Sequence, residues 1–111
     1  MRMYENIVEI IRHKMKSKSY RMTLHAQRER FNDMLDMEAI EEVLLTGRVI
    51  EDYPEDKRGH SCLVFGVCEK RPIHVVVAGL EEGDKMLVII TVYRPDPEEW
   101  ELGWCGRRTV K

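Results

Sequence analysis

Met86-Leu87-Val88-Ile89-Ile90-Thr91-Val92, running on into Tyr93-Arg94-Pro95, is the stretch from which the fold can be read. Seven residues without a charge, most of them β-branched, predict an interior strand rather than an edge. Strict alternation sets Met86, Val88, Ile90 and Val92 on one face and Leu87, Ile89, Thr91 and Tyr93 on the other. The first set is wholly apolar and is expected against helices. The second turns polar at its end, where a hydroxyl, a phenol and then the Arg94 guanidinium suit the wall of a site. The plain alternative is that Thr91 and Tyr93 are ordinary strand formers and Arg94 is solvated.

Working outward, everything after Gly47 reads as sheet. Arg48–Tyr53 is a strand closed by Pro54. Ser61–Cys68 follows, with Leu63, Phe65 and Val67 as its expected core face. Residues 72–79 form a third strand, with Ile73, Val75 and Val77 facing one way and His74 the other. Short connections make each neighbouring pair antiparallel. Upstream, Tyr4, Ile7, Val8, Ile11 and Met15 repeat at helical spacing, with Lys14 and Lys16 in the last turn, where cations suit the helix dipole. Ser17–Ser19 reads as a connection. A second helix is expected from a Thr23 cap to about Asn32, with Leu24 and Phe31 inward. A third spans Met37–Thr46 behind Asp33 or Asp36, turns Ile40, Val43 and Leu44 inward, and stops at a left-handed Gly47. The expected architecture is therefore one α+β domain over residues 1–111: helices over about 3–46 on one face of a four-stranded antiparallel meander over about 48–94, then a tail, 95–111. Trp100 and Trp104 are placed to fold that tail back onto the sheet.

A chain of 111 residues with 43% hydrophobic content suits one modest core, and no apolar run approaches a membrane span. Charges begin at Arg2, so no signal peptide is expected, and the default compartment is the cytoplasm. Three cysteines do not make a secreted disulfide framework. Cys62 and Cys68 would lie roughly 20 Å apart along one strand, too far to bridge. His60-x-Cys62 offers two ligands and no evident third, so neither a metal nor a cofactor is expected. The net charge of −2 conceals an asymmetry: residues 1–30 carry eight basic and three acidic side chains, Arg107, Arg108 and Lys111 close the chain, and the middle is acidic.

His74, Thr91 and Tyr93 are expected to share the sheet face away from the helices. His25, Arg28, Glu29 and Arg30 come from the second helix, although Arg30 points away from His25. An imidazole, a phenol and several guanidiniums suit metal-independent RNA cleavage. That reaction needs a base for the 2′-OH, an acid for the leaving oxygen, and cations for the charge on phosphorus. Histidine is the side chain that ordinarily titrates near neutrality. Each residue also has a plain use. His25 can bond the backbone, His74 can be a satisfied sheet histidine, Arg28 and Arg30 can make surface ion pairs, and His60 can be a loop residue beside Gly59.

Several blocks occur in a particular order: His25-Ala26-x-x-Glu29-Arg30, then Leu45 through Pro54, Gly59-His60-Ser61-Cys62-Leu63, Arg71 through Val76, and Ile90 through Pro97 with Trp100. Together they resemble domain-of-unknown-function family 4258 over about residues 20–108. The resemblance implies kinship with RelE-like and MqsR-like toxins, α+β proteins that cleave mRNA without metal. It also implies a zinc-finger antitoxin of the YgiT (MqsA) type as partner. The family's recurring polar positions fall on His25, Glu29, Arg30, Tyr53, His74, Tyr93 and Arg94. The leading expectation is a toxin in which His25, His74 and Tyr93 do the chemistry. Arg28, Arg30 and Arg94 would hold mRNA, free or on the ribosome, with Glu29, Tyr53, His60 and Thr91 in support. The alternatives are a non-catalytic protein–protein module and an RNA-binding module without turnover; the latter would show steep salt dependence.

Overall fold

The computed structural model describes residues 5–108. Tyr4 and Lys111, which entered the expectations above, lie outside them. The elements are α1 (Glu5–Lys16), β1 (Tyr20–Met22), α2 (Leu24–Asn32), α3 (Met37–Thr46), β2 (Arg48–Tyr53), β3 (Ser61–Cys68), β4 (Arg71–Ala78) and β5 (Leu87–Tyr93). The α+β class holds, with three helices and one sheet. The sheet, however, is five-stranded and mixed, in the order β1-β5-β4-β3-β2, with β1 parallel to β5. A four-stranded antiparallel meander therefore describes only β2 to β5. Tyr20–Met22 is three residues long and polar at Arg21, too short for any alternation to show.

Local signals explain most boundaries. Thr23 caps α2 by accepting from the Ala26 amide at 3.1 Å, and Asp36 caps α3 by accepting from Ala39 at 2.8 Å. Gly47 ends α3, but in an extended conformation (φ −76°) rather than a left-handed one. Its glycine is needed for close approach: a Cβ would lie 2.5 Å from the carbonyl oxygens of both Phe65 and Val43. Between β3 and β4 the two turn residues, Glu69 and Lys70, both have positive φ, the geometry of a tight hairpin turn.

The core gathers Ile11 and Met15 of α1, Ala26 of α2 and Ile40, Val43 and Leu44 of α3. From the sheet come Cys62, Val64, Ile73, Val75, Val77, Leu87, Ile89 and Val92. The expectations for β4 hold. Those for β3 do not: Cys62 and Val64 face the helices and Gly66 packs against Val43, so Phe65 turns to the other side and Val67 is exposed.

In β5 neither predicted face survives whole. Val77 pairs with Ile89 and Val76 with Thr91, leaving Ile90 as an extra residue. This bulge shifts the alternation by one. Leu87 and Ile89 face the helices before it, and Val92 does so after it.

Helix α2 departs furthest from expectation. Leu24 and Phe31 are each 67% exposed, and Ala26 is the helix's buried residue. The inward side of α2 is polar because β1 pairs with only the first half of β5. Beyond it, side-chain carboxylates supply the missing acceptors. Glu29 Oε1 accepts from the Val92 amide at 3.1 Å and Asp33 Oδ2 from the Arg94 amide at 2.9 Å. Glu29→Ala is expected to cost about 1–3 kcal/mol by orphaning a buried amide, whereas Glu29→Gln keeps an acceptor and costs less. Faster hydrogen exchange at Val92 in the alanine variant alone is the measurement.

Lys14 also departs from expectation. It is buried, and its Nζ donates to the carbonyls of Gly79 at 2.9 Å and Glu81 at 2.6 Å, tying α1 to the β4–β5 connection.

Candidate functional site

The ten polar residues named from the sequence do not form one site. Their first group lies on the sheet face away from the helices, under the C-terminal segment. His74 and Tyr93 are register partners on β4 and β5. The tail returns over them, paired by a bridge between Trp100 and Arg107. Trp100 is 2% exposed and meets the His74 ring edge to face at 4.3 Å; Phe65 and Tyr93 complete an aromatic box. Thr91 is half-buried opposite Val76.

Both imidazole nitrogens of His74 are occupied. Nε2–H donates to the Trp104 carbonyl at 2.8 Å, which leaves Nδ1 to accept from the Tyr93 hydroxyl at 3.1 Å. Burial lowers the His74 pKa from its ordinary 6.5; the Trp104 carbonyl and the Glu51 charge oppose that only in part. Burial likewise pushes the Tyr93 phenol up to about 12. Tyr53 donates to Glu51, which receives the Arg107 guanidinium on both oxygens at 2.8 and 3.0 Å. Burial alone would raise the Glu51 carboxyl; the bonds from Arg107 and Tyr53 outweigh it and hold the group below its ordinary range. Arg107 also lies 4.6 Å over the Trp100 ring. These neighbours satisfy one another, and His74 is fully buried with both ring nitrogens bonded, so it has no free nitrogen to offer.

The lowered His74 pKa sets a pH dependence. The folded chain holds the ring neutral, while the unfolded chain takes up a proton below about pH 6.5, its ordinary value. This contribution to stability is therefore complete above pH 6.5 and is lost progressively as pH falls toward the lower folded value. Melting temperature should drop on acidification from pH 7 to 5, with a shallower slope in His74→Phe.

A second group is dispersed. His60 contacts Asp52 at the end of the β2–β3 hairpin. The Arg94 guanidinium enters a recess of about 70 Å³ that Arg71 and Cys68 also line, and its Nε and Nη1 are buried without a partner. Arg30 donates to Gln27 and to the Leu35 carbonyl, both at 3.1 Å, and stacks 4.5 Å over Phe31. Arg28 is exposed on α2.

The third place is an open cleft of about 630 Å³ on the outer side of the sheet, where the bulge lies. Its floor is apolar, made by Ala78, Met86, Val88 and Ile90. Its rim carries Arg21, His25, Arg58 and Lys85, with Glu81 as the carboxylate among the lining side chains. Arg58 is tied to Asp56 at 3.0 Å, whereas Arg21 and Lys85 form no ion pair among the described residues. The His25 side chain is 66% exposed, and its Nε2 lies 3.2 Å from Glu29 Oε1, the oxygen that receives the Val92 amide. Glu29, itself held by the Val92 amide, thus stands beside the imidazole. Among the described residues no group of three His, Cys, Asp or Glu side chains is placed to hold a metal ion. No helix there is long and apolar enough to cross a membrane.

Of the sequence-named residues, His25 lines the open cleft with Glu29 beside it, and Arg94 lines the smaller recess. Arg21, Arg58 and Lys85 were missed because they sit in three separate segments with no spacing to connect them. The basic surplus of the first thirty residues was a visible trace of Arg21 alone.

No curated protein and no solved structure matches the chain. Residues 22–94, from the end of β1 through the first residue after β5, match the model of a family described as a domain of unknown function (DUF4258). The match takes in α2, which holds His25 and Glu29, and the β4–β5 hairpin that makes the cleft floor, and it spans well over half the chain: this protein belongs to the DUF4258 family.

Proposed function

We propose that the chain is an RNA-cleaving toxin of a toxin–antitoxin pair, acting in the cytoplasm, with its reactive site in the basic cleft rather than under the tail. One observation carries this reading: an exposed imidazole, steadied by a fixed carboxylate, stands on the rim of a cavity with a cationic edge and an apolar floor. The floor suits an unstacked base, and Arg21 and Lys85 suit the flanking phosphates.

His25, paired through Nε2 with Glu29, takes the proton from a ribose 2′-OH. The 2′ oxygen bonds to the adjacent phosphorus, and the P–O5′ bond breaks. The O5′ leaving group takes a proton from water, which reaches the open cleft. The products are a 2′,3′-cyclic phosphate and a 5′-hydroxyl end. Arg21 and Lys85 offset the charge gathering on the phosphoryl oxygens. The toxin assignment and a zinc-finger antitoxin of the YgiT (MqsA) type as partner rest on the kinship with RelE-like and MqsR-like toxins that the resemblance of the ordered blocks to DUF4258 implies.

The test is cleavage of a mixed RNA pool by purified protein in EDTA, with product ends identified. Wild type should yield cyclic phosphate ends, and His25→Ala should be slower by about 10²–10⁴-fold, the usual worth of a general base. Equal rates in both would remove His25 from the chemistry. An intact pool would remove metal-independent cleavage of free RNA.

A further inference from the structure

Helix α2 is mostly polar, and its few large apolar side chains do not face the fold. Its acids, Glu29 and Asp33 just beyond its end, turn inward to the β5 amides. Its large apolar side chains turn outward. Leu24 and Phe31 stand seven residues apart, two turns along one side, with exposed Arg28 between them; Met34, 86% exposed, continues the strip past the helix end. Arg30 holds the Phe31 ring from one side, so the ring is braced although it is open to solvent. An apolar strip of this length is more than scattered surface exposure.

We infer that the outward face of α2 is a docking surface for an acidic amphipathic helix of a partner protein. The occupant follows from charge. On α2 itself, with Glu29 turned inward, the ionisable side chains beside Leu24 and Phe31 are His25, Arg28 and Arg30; Asp36, Glu69 and Arg71 lie near Met34 at the far end. A partner helix with apolar residues at matching seven-residue spacing would cover Leu24 and Phe31, and flanking carboxylates would meet the arginines. A second copy of this chain fits poorly, because self-pairing about a two-fold axis between Leu24 and Phe31 would set Arg28 against Arg28. A helix seated here also passes His25, at the cleft rim, so its binding would narrow access to the cleft. The inference does not rest on RNA cleavage and can hold or fail independently of it.

The test uses the full chain, labelled for amide and methyl NMR, titrated with a short synthetic helix of leucine, alanine and glutamate carrying the seven-residue leucine spacing. Lysine replaces glutamate in a matched control. The expected result is saturable shifts at Leu24, Arg28, Phe31 and Met34 with the glutamate helix alone. Phe31→Ala and Arg28→Glu should each weaken binding by about tenfold or more, as residues central to an interface do. Both positions are exposed, so both variants should keep the wild-type spectrum elsewhere. Equal binding of the lysine helix, or no shift at α2 with the glutamate helix, would overturn the inference. So would α2 shifts that follow protein concentration alone, which would identify a second copy, or that appear with oligouridine instead of the peptide.

Discussion

Trp100→Ala should lower the unfolding free energy by roughly 3–5 kcal/mol, the range for truncating a large aromatic in a core. Trp100 lies outside the principal core, yet it is 2% exposed, presses on His74 at 4.3 Å and carries Arg107 at 4.6 Å on its ring. Alanine would open a void directly over the imidazole. It would also remove the ring that the Arg107 guanidinium rests on and so loosen the bidentate pair to Glu51. Urea denaturation measures the loss. A second readout identifies its cause: with the ring wetted, the His74 pKa should move back up toward its ordinary value. A change below about 1 kcal/mol, within the range of surface substitutions, would mean that the tail rests on the sheet without holding it.

Gly79→Ala should be comparably damaging, at about 3 kcal/mol or more, because two named mechanisms coincide there. Gly79 has φ +79°, and an added Cβ would fall 2.2 Å from the Met86 carbonyl oxygen, a backbone atom that cannot swing aside. Moving that oxygen would shift the start of β5. It would also disturb the Gly79 carbonyl, which receives the buried Lys14 ammonium. Gly83 in the same connection is the internal control. Its φ is +111°, but nothing lies within 4 Å of its Cβ position, so Gly83→Ala should cost only conformational strain, about 1 kcal/mol. Equal losses at the two positions would show that strain, not the contact with Met86, sets the penalty at Gly79.

Boundaries were legible where a residue type has one local use. Thr23 and Asp36 announced helix starts, and the alternation of β4 named Ile73, Val75 and Val77 as core. The failures have physical causes of two kinds. A bulge carries no composition of its own: Ile90 is as β-prone as its neighbours, yet it displaces Leu87 and Ile89 onto the helix side. Helix periodicity, for its part, reports that a helix has two faces but not which one meets the fold. Leu24 and Phe31 marked a stripe correctly; what turned it outward was the need of the β5 edge for acceptors, a tertiary demand invisible in the spacing. The site was less legible than the fold. Residue types predicted an imidazole, a phenol and guanidiniums, but not that the tail would cover His74 and Tyr93 and leave His25 open.

The carboxylates on the β5 edge also bear on whether that edge can pair with another chain. β5 is uncharged and rich in β-branched residues, and on the edge away from β4 no strand pairs with it past Ile89, which is the profile of a segment that recruits another chain's edge. Glu29 and Asp33 occupy the hydrogen-bonding positions that an incoming strand would need. They do so with groups that carry no further donors or acceptors in register, so pairing cannot propagate beyond them. Helix α2 is thus a plug on the sheet as well as the bearer of His25. Any event that lifts it would expose a strand edge ready for intermolecular β-pairing, and Glu29 and Asp33 therefore guard solubility as well as stability.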